Sequence, residues 1–272
     1  MLSSGTATWH PDVRHVRVDG ALLRVAVVGD GPVLLLLNGI GANIEMWQAF
    51  AQSLPGRTLV MFDFPGTGAS PALPVPLRMP AIAALVVRLM DQLGHDRVDV
   101  LGYSWGGALA QELAHRAPGR VRSLILAATI PGLGGRPPSP WVVAAMSTPL
   151  RYWSHGYLRL IAPVVYGTSV GPDEEHARAR QALPPTVRGY MHQLYAISGW
   201  TSRRWLGRLR VPTLVLSGRG DRLAPAANGR ILARSIRDAR LVELPGGHLF
   251  LLQEAALAAA AVESFLTVVS PG

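Results

Sequence analysis

The sequence predicts an α/β fold, with a mostly parallel central sheet, helices on both of its faces and a helical cap inserted near the middle of the chain. Short apolar runs of strand length alternate with longer segments of helical period, the βαβα rhythm of a sheet covered on both sides. The rhythm stops after Thr129 and resumes near residue 211, which marks the insertion.

Each element follows from its local pattern. Strands over 14–18 and 22–28 are joined by Asp19-Gly20, a dipeptide suited to a tight hairpin. After Gly29-Asp30-Gly31-Pro32 comes the apolar run 33–37, then a helix over 44–54 and a strand over 58–62. A helix over 79–93 precedes a strand over 98–101, and a helix over 105–116 precedes a strand over 124–127. Beyond the interruption come a strand over 213–216, a helix over 226–234, a strand over 240–243 and a helix over 249–262. The interrupting stretch is rich in Pro, Gly and aromatics, and residues 132–206 hold four of the seven Trp and five of the six Tyr. The expected organisation is a core of 1–129 with 211–272 and a cap of 130–210. Extra helices with no substrate role are the alternative for the insertion.

Composition excludes several classes. Of 272 residues 49% are apolar and 16% charged, against a usual charged share of about 25%, so the chain can bury a sizeable core. With no cysteine there is no disulfide, thiolate metal site or Cys nucleophile. The opening dozen residues lack a basic start followed by an apolar stretch. The apolar runs 33–37 and 255–262 are far shorter than the ~20 residues that span a bilayer, so a soluble, cytoplasmic protein is expected. All 26 basic residues are Arg, the net charge is +9, and ten of the Arg lie in 203–240. That stretch reads as a solvated basic face, or as a surface meeting an acidic partner, a membrane or a coated particle. No recognition motif accompanies the charge, so nucleic acid is not an expected partner.

The chemistry centres on Gly102-Tyr103-Ser104-Trp105-Gly106, which fits Gly-x-Ser-x-Gly with a strand before it and a helix after it. Small flanking residues let the backbone turn sharply and expose the Ser104 hydroxyl. The Trp105 amide then lies at a helix N-terminus, where developing negative charge is stabilised. A serine needs a base, and His248 in Pro245-Gly246-Gly247-His248 follows the last strand on a glycine loop. Asp221, after the strand at 213–216, completes the order Ser, Asp, His and would orient the imidazole. Asp63 is the rival acid, in a turn where Asp more often binds nearby backbone amides, and Glu243 reads as structural. The loop Asn38-Gly39-Ile40-Gly41-Ala42 follows the first buried strand, so the Ile40 amide is the expected partner of the Trp105 amide in an oxyanion hole. Asn38, Gly39, Tyr103 and Leu249 are the expected substrate contacts.

These stretches resemble the α/β-hydrolase fold family and, within it, the intracellular medium-chain-length poly(3-hydroxyalkanoate) depolymerases. The similarity rests on Asn38-Gly39-Ile40-Gly41-Ala42-Asn43, Phe62-Asp63-Phe64-Pro65-Gly66 and Ser104-Trp105-Gly106-Gly107-Ala108-Leu109-Ala110-Gln111. It continues through Gly199-Trp200-Thr201-Ser202 and Gly247-His248-Leu249-Phe250-Leu251. The resemblance implies Ser104, Asp221 and His248 as catalytic residues, no metal or cofactor, a hydrophobic ester or polyester granule surface as substrate, and a cap that admits a polymer chain. Tyr103 departs from the pattern, where a small or aliphatic residue is expected, and would reshape the acyl pocket.

The same triad serves carboxylesterases, lipases, thioesterases and lactonases acting on small soluble substrates. A ligand-binding protein that keeps the triad, and a granule-coat protein, are readings from other classes. Epoxide hydrolase and haloalkane dehalogenase chemistry is disfavoured, because an Asp would stand where Ser104 does.

Overall fold

The chain enters its sheet through the hairpin that Asp19-Gly20 specifies. In the computed structural model, which describes residues 9–169 and 175–269, these two residues have φ of 47° and 82°. Two positive φ angles match the turn to the twist of its flanking strands. β1 (Asp12–Val18) therefore pairs antiparallel with β2 (Ala21–Val28). The remaining strands are β3 (Val33–Leu37), β4 (Thr58–Phe62), β5 (Val98–Tyr103), β6 (Val121–Ala127), β7 (Thr213–Gly218) and β8 (Ala239–Leu244). Their order is β1-β2-β4-β3-β5-β6-β7-β8, and all pairings from β4 to β8 are parallel.

Two core layers explain why the central strands are apolar without alternation. Leu35 and Leu37 of β3 enter one layer, while Leu34 and Leu36 enter the other. The first layer is closed by α2 (Met79–Gln92), α3 (Trp105–Arg116) and α9 (Ala226–Ser235); the second by α1 (Gln48–Gln52), α10 (Phe250–Gln253) and α11 (Ala255–Val269). Each fully buried Leu contributes roughly 1.5–3 kcal/mol relative to exposure. Two expected helices differ in detail. The helix over 44–54 begins as a 3₁₀ turn at Ile44–Trp47 before α1, and the helix over 249–262 breaks at Glu254 into α10 and α11.

Between β6 and β7 the chain forms α4 (Pro140–Met146), α5 (Leu150–Trp153), α6 (His155–Val165), α7 (Glu175–Ala182) and α8 (Val187–Ile197). These helices lie over the carboxyl ends of the strands. Trp105 Nε1 donates to the Gln193 carbonyl at 2.9 Å, and the Gly41 amide donates to Gln193 Oε1 at 2.7 Å. The segment's return is fixed to α3: Trp200 Nε1 donates to Glu112 at 2.8 Å and Ser202 Oγ donates to Gln111 at 2.6 Å. All ten arginines of 203–240 are exposed. The opening segment, read above for a leader, lies largely outside the described residues. Among the described residues no helix is long and apolar enough to cross a membrane.

Two local devices fix the loops at the carboxyl edge. The turn from β5 to α3 brings Gly106 against β3, and a Cβ there would lie 2.1 Å from the Leu37 carbonyl oxygen and 2.5 Å from that of Asn38. A Cβ on Gly102 would lie 2.4 Å from the Gly106 carbonyl oxygen. The second device is the buried Asp63 at the end of β4. It accepts from the Ile44 amide at 2.8 Å, the Ala69 amide at 3.0 Å and the Arg24 guanidinium at 3.1 Å. Burial pushes its carboxyl up to about 6, against the pull of the Ala69 amide and Arg24. Asp63 thus ties the loops after β3 and β4 to β2, as its turn motif predicts.

Two outcomes follow. Gly106→Ala must part α3 from β3, and calorimetry should show a lower Tm; a wild-type Tm would contradict the close approach. Asp63→Asn sets an NH₂ against one of three donors, costing about 1–3 kcal/mol in denaturant unfolding, whereas unchanged stability would exclude the clamp.

Candidate active site

The strand–turn–helix at residues 98–116 forces Ser104 into φ 55°, ψ −115°, a positive φ that an L-residue holds only when its surroundings over-determine it. Those surroundings are visible. The Ser104 amide donates to the Ala127 carbonyl at 2.8 Å, and the Ser104 carbonyl accepts from Thr129 Oγ1 at 2.7 Å. The Ser104 side chain caps no helix amide, so its hydroxyl is free to face the loop after β8.

There His248 Nε2 lies 3.0 Å from Ser104 Oγ, and His248 Nδ1 lies 2.8 Å from Asp221 Oδ2. The other carboxylate oxygen, Asp221 Oδ1, accepts from the amides of Leu223 at 2.9 Å and Ala224 at 2.7 Å. His248 and Asp221 are both buried. The imidazole is held from its backbone as well: the His248 amide donates to the Tyr166 carbonyl at 2.7 Å, and Tyr103 Oη donates to the His248 carbonyl at 2.8 Å. Its ring stacks on Tyr166 with centroids 5.9 Å apart. Glycine allows this approach. A Cβ on Gly247 would lie 2.0 Å from the Tyr166 carbonyl oxygen, and one on Gly218 would lie 2.3 Å from that of Gly247.

Ile40 and Ser104 line the same pockets, and Trp105 starts α3 beside them. Among the described residues neither the Ile40 amide nor the Trp105 amide donates a hydrogen bond to protein. The Ile40 carbonyl is instead occupied, accepting from Tyr152 Oη. Two pockets meet at Ser104. One, of about 290 Å³, is lined by Gly39, Tyr103, His248 and Leu249 among others. The other, of about 610 Å³, has an almost wholly apolar lining that includes Ala108, Ile130, Leu194 and Ile197. Of the expected substrate contacts, Asn38 does not line either pocket. Its side chain is buried and donates to the Asn43 carbonyl at 2.6 Å, bracing the loop that carries Ile40. No group of three or more His, Cys, Asp or Glu among the described residues could hold a metal ion.

Sequence reasoning did not single out Thr129, Tyr152, Tyr166 or Gln193, which support the elbow, the Ile40 loop and His248. The aromatic enrichment of the inserted segment pointed to the tyrosines as a group. Nothing in the pattern marked Thr129 or Gln193, because each acts through hydrogen bonds to residues far away in sequence, one for Thr129 and two for Gln193.

Comparison with known proteins agrees with this architecture. Residues 32–159 match the family described as alpha/beta hydrolase fold. The chain is 41% identical over 259 residues to a poly(3-hydroxyalkanoate) depolymerase of Ectopseudomonas oleovorans, covering 93% of this chain and 92% of that protein. It is 31% identical to a pimeloyl-(acyl-carrier protein) methyl ester esterase of Chromobacterium violaceum, over 82% of this chain and 89% of the esterase. Among solved structures, the enol-lactonase of Burkholderia xenovorans LB400 superposes with a TM-score of 0.80 at 28% identity, over 93% of this chain and all of the lactonase. The eight-stranded sheet, the strained serine turn and these relatives together place the chain in the α/β-hydrolase fold family, as a hydrolase.

Proposed function

We propose that the chain is a serine hydrolase that cleaves the ester bonds of a medium-chain-length poly(3-hydroxyalkanoate). The observation that carries this reading is the hydrogen-bonded series Asp221–His248–Ser104, at 2.8 and 3.0 Å, at the mouth of an apolar pocket. His248 Nε2 takes the Ser104 proton as Ser104 Oγ attacks the ester carbonyl, and Asp221 stabilises the imidazolium. The amides of Ile40 and Trp105 receive the oxyanion, each worth about 10²–10³ in rate. His248 then protonates the leaving hydroxyl and activates the water that releases the acid. The similarity to the depolymerase supports a polyester as substrate.

In this reading residues 130–210 act as the cap. Its outer surface supports that role. Trp141 is 79% exposed, Leu160 75% and Leu133 65%, and Val143, Leu150, Trp153 and Val164 are exposed beside them in sequence. An apolar surface of this kind suits an insoluble, apolar polymer better than a soluble ester. The protein would act in the cytoplasm at the surface of storage granules, with no cofactor. Its likeness to an esterase and an enol-lactonase keeps small esters and lactones as the competing substrates.

Ser104→Ala should abolish covalent labelling by a fluorophosphonate and lower kcat by about 10⁴-fold or more; labelling that persists would remove Ser104 from its role. The substrate is decided by clearing of an amorphous medium-chain polyester latex, measured beside a series of C4–C12 nitrophenyl esters. Clearing by the wild type and not by Ser104→Ala supports the depolymerase, while ester turnover without clearing reassigns the function to a small ester or lactone. A Trp141→Ser, Leu160→Ser double variant should lower the ratio of latex clearing to soluble-ester turnover by about tenfold, and an unchanged ratio would leave the exposed cap surface without a role.

A further inference from the structure

The pocket on the Tyr103 side of Ser104 contains two cations and, among the described residues, no counter-charge. Arg151 and Arg180 are buried, 1% and 3% exposed, and both line it together with Ser104 and His248. Three other buried carboxylates each face an arginine: Asp63 meets Arg24, Asp99 meets Arg57 and Arg122, and Glu112 meets Arg116. Among the described residues no carboxylate lies in ion-pair distance of Arg151 or Arg180. They are surrounded by phenols and backbone. Arg151 Nη1 donates to Tyr190 Oη at 2.7 Å and the Thr148 carbonyl at 3.1 Å, and Arg180 Nη1 donates to Tyr166 Oη at 3.0 Å. The two guanidinium carbons lie 4.7 and 5.0 Å from the centre of one ring, that of Tyr152, so the charges share it. Among the described residues the Nε of each has no hydrogen-bond partner. Burial alone would push the Tyr166 phenol up, yet the two guanidiniums hold it below its ordinary value.

Aromatic faces and neutral acceptors offset only part of the cost of burying two like charges together. A bound anion would supply the rest. The apolar pocket opens from the same serine, so the site separates a greasy half from a cationic half across the reacting atom. We propose that Arg151 and Arg180 bind the free carboxylate at the end of the substrate chain, so that hydrolysis proceeds from the carboxyl terminus of a 3-hydroxyalkanoate polymer or oligomer. The inference rests on Ser104 being the nucleophile of a polyester hydrolase.

The chemistry fits this placement. In a 3-hydroxyalkanoate chain the terminal carboxylate is separated from the last ester oxygen by two carbons, so it belongs to the leaving group. Ser104 Oγ bonds to the carbonyl carbon of the penultimate unit, and the bond from that carbon to the terminal unit's oxygen breaks. The departing oxygen takes the proton held by His248, and the terminal unit leaves as a 3-hydroxy acid with its carboxylate on the arginines. The remaining chain is the acyl-enzyme, extended into the apolar pocket. Water then breaks the acyl–Ser104 bond and returns a proton to Ser104, giving a shortened chain with a new carboxylate for the next cycle.

The test compares the dimer of 3-hydroxyoctanoic acid as free acid and as its methyl ester. Charge-assisted bonds to two guanidiniums should favour the free acid in kcat/KM by about tenfold or more, mainly through KM. Arg151→Met and Arg180→Met should each bring the ratio toward one, and Arg180→Lys should retain part of it. Equal rates for acid and methyl ester in the wild type, or a preference that survives in both Met variants, overturn the proposal. Binding is read separately with Ser104→Ala, whose Tm should rise with 3-hydroxyoctanoate and not with its methyl ester; no rise also overturns it. A Tm rise with no turnover of either dimer or of nitrophenyl esters by the wild type would retain the anion site and remove the hydrolase reading. Brisk nitrophenyl-ester turnover with no preference for the acid would do the reverse.

Discussion

The arrangement at the carboxyl edge of the sheet depends on one close approach, that of the start of α3 to the end of β3. With only a hydrogen in place of a side chain at Gly106, the helix backbone reaches the Leu37 and Asn38 carbonyls. That contact brings the Trp105 amide beside the loop carrying Ile40, and it sets Ser104 at a positive φ with its hydroxyl outward. In the proposed mechanism a displacement of even an ångström would separate the two amides that receive one oxyanion. The inserted helices are attached at the same place, through the Trp105 indole and Gln193.

A second glycine contact governs the other half of the site. Gly218 and Gly247 let the loops after β7 and β8 touch, which puts Asp221 against His248. His248 is then fixed by Asp221 on its ring, by Tyr166 on its amide and by Tyr103 on its carbonyl. Tyr103 therefore does more than occupy the pocket wall. Its phenol ties the strand that leads to Ser104 to the loop that carries His248, and its ring packs edge-on to Trp47 at 6.3 Å.

Buried charge is handled in two ways in this molecule. Where a charge supports the scaffold, as at Asp63 or Asp99, its partner is built into the fold. Beside Ser104, Arg151 and Arg180 have tyrosines and, among the described residues, no acid. The cost of that arrangement is borne by the inserted segment, which supplies both arginines and the tyrosines around them.

The sequence by itself determined the eight strands, the turn at Ser104 and the chain order of Ser104, Asp221 and His248. Each is a local signal: an apolar run of strand length, a Gly-x-Ser-x-Gly between strand and helix, a glycine loop after a strand. It also gave Asp63 its scaffold role, because a short acid in a tight turn satisfies nearby amides. Only the tertiary structure decided which side chains surround the serine. Asn38 reads like a pocket residue but braces its own loop, and Thr129, Gln193, Tyr152 and Tyr166 act on partners far away in sequence. Arg151 and Arg180 look like any of the 26 arginines until the helices that carry them fold over the site. Periodicity records which face of an element is buried, whereas the gathering of two buried arginines on one tyrosine ring is a property of several elements together and exists only once they have packed.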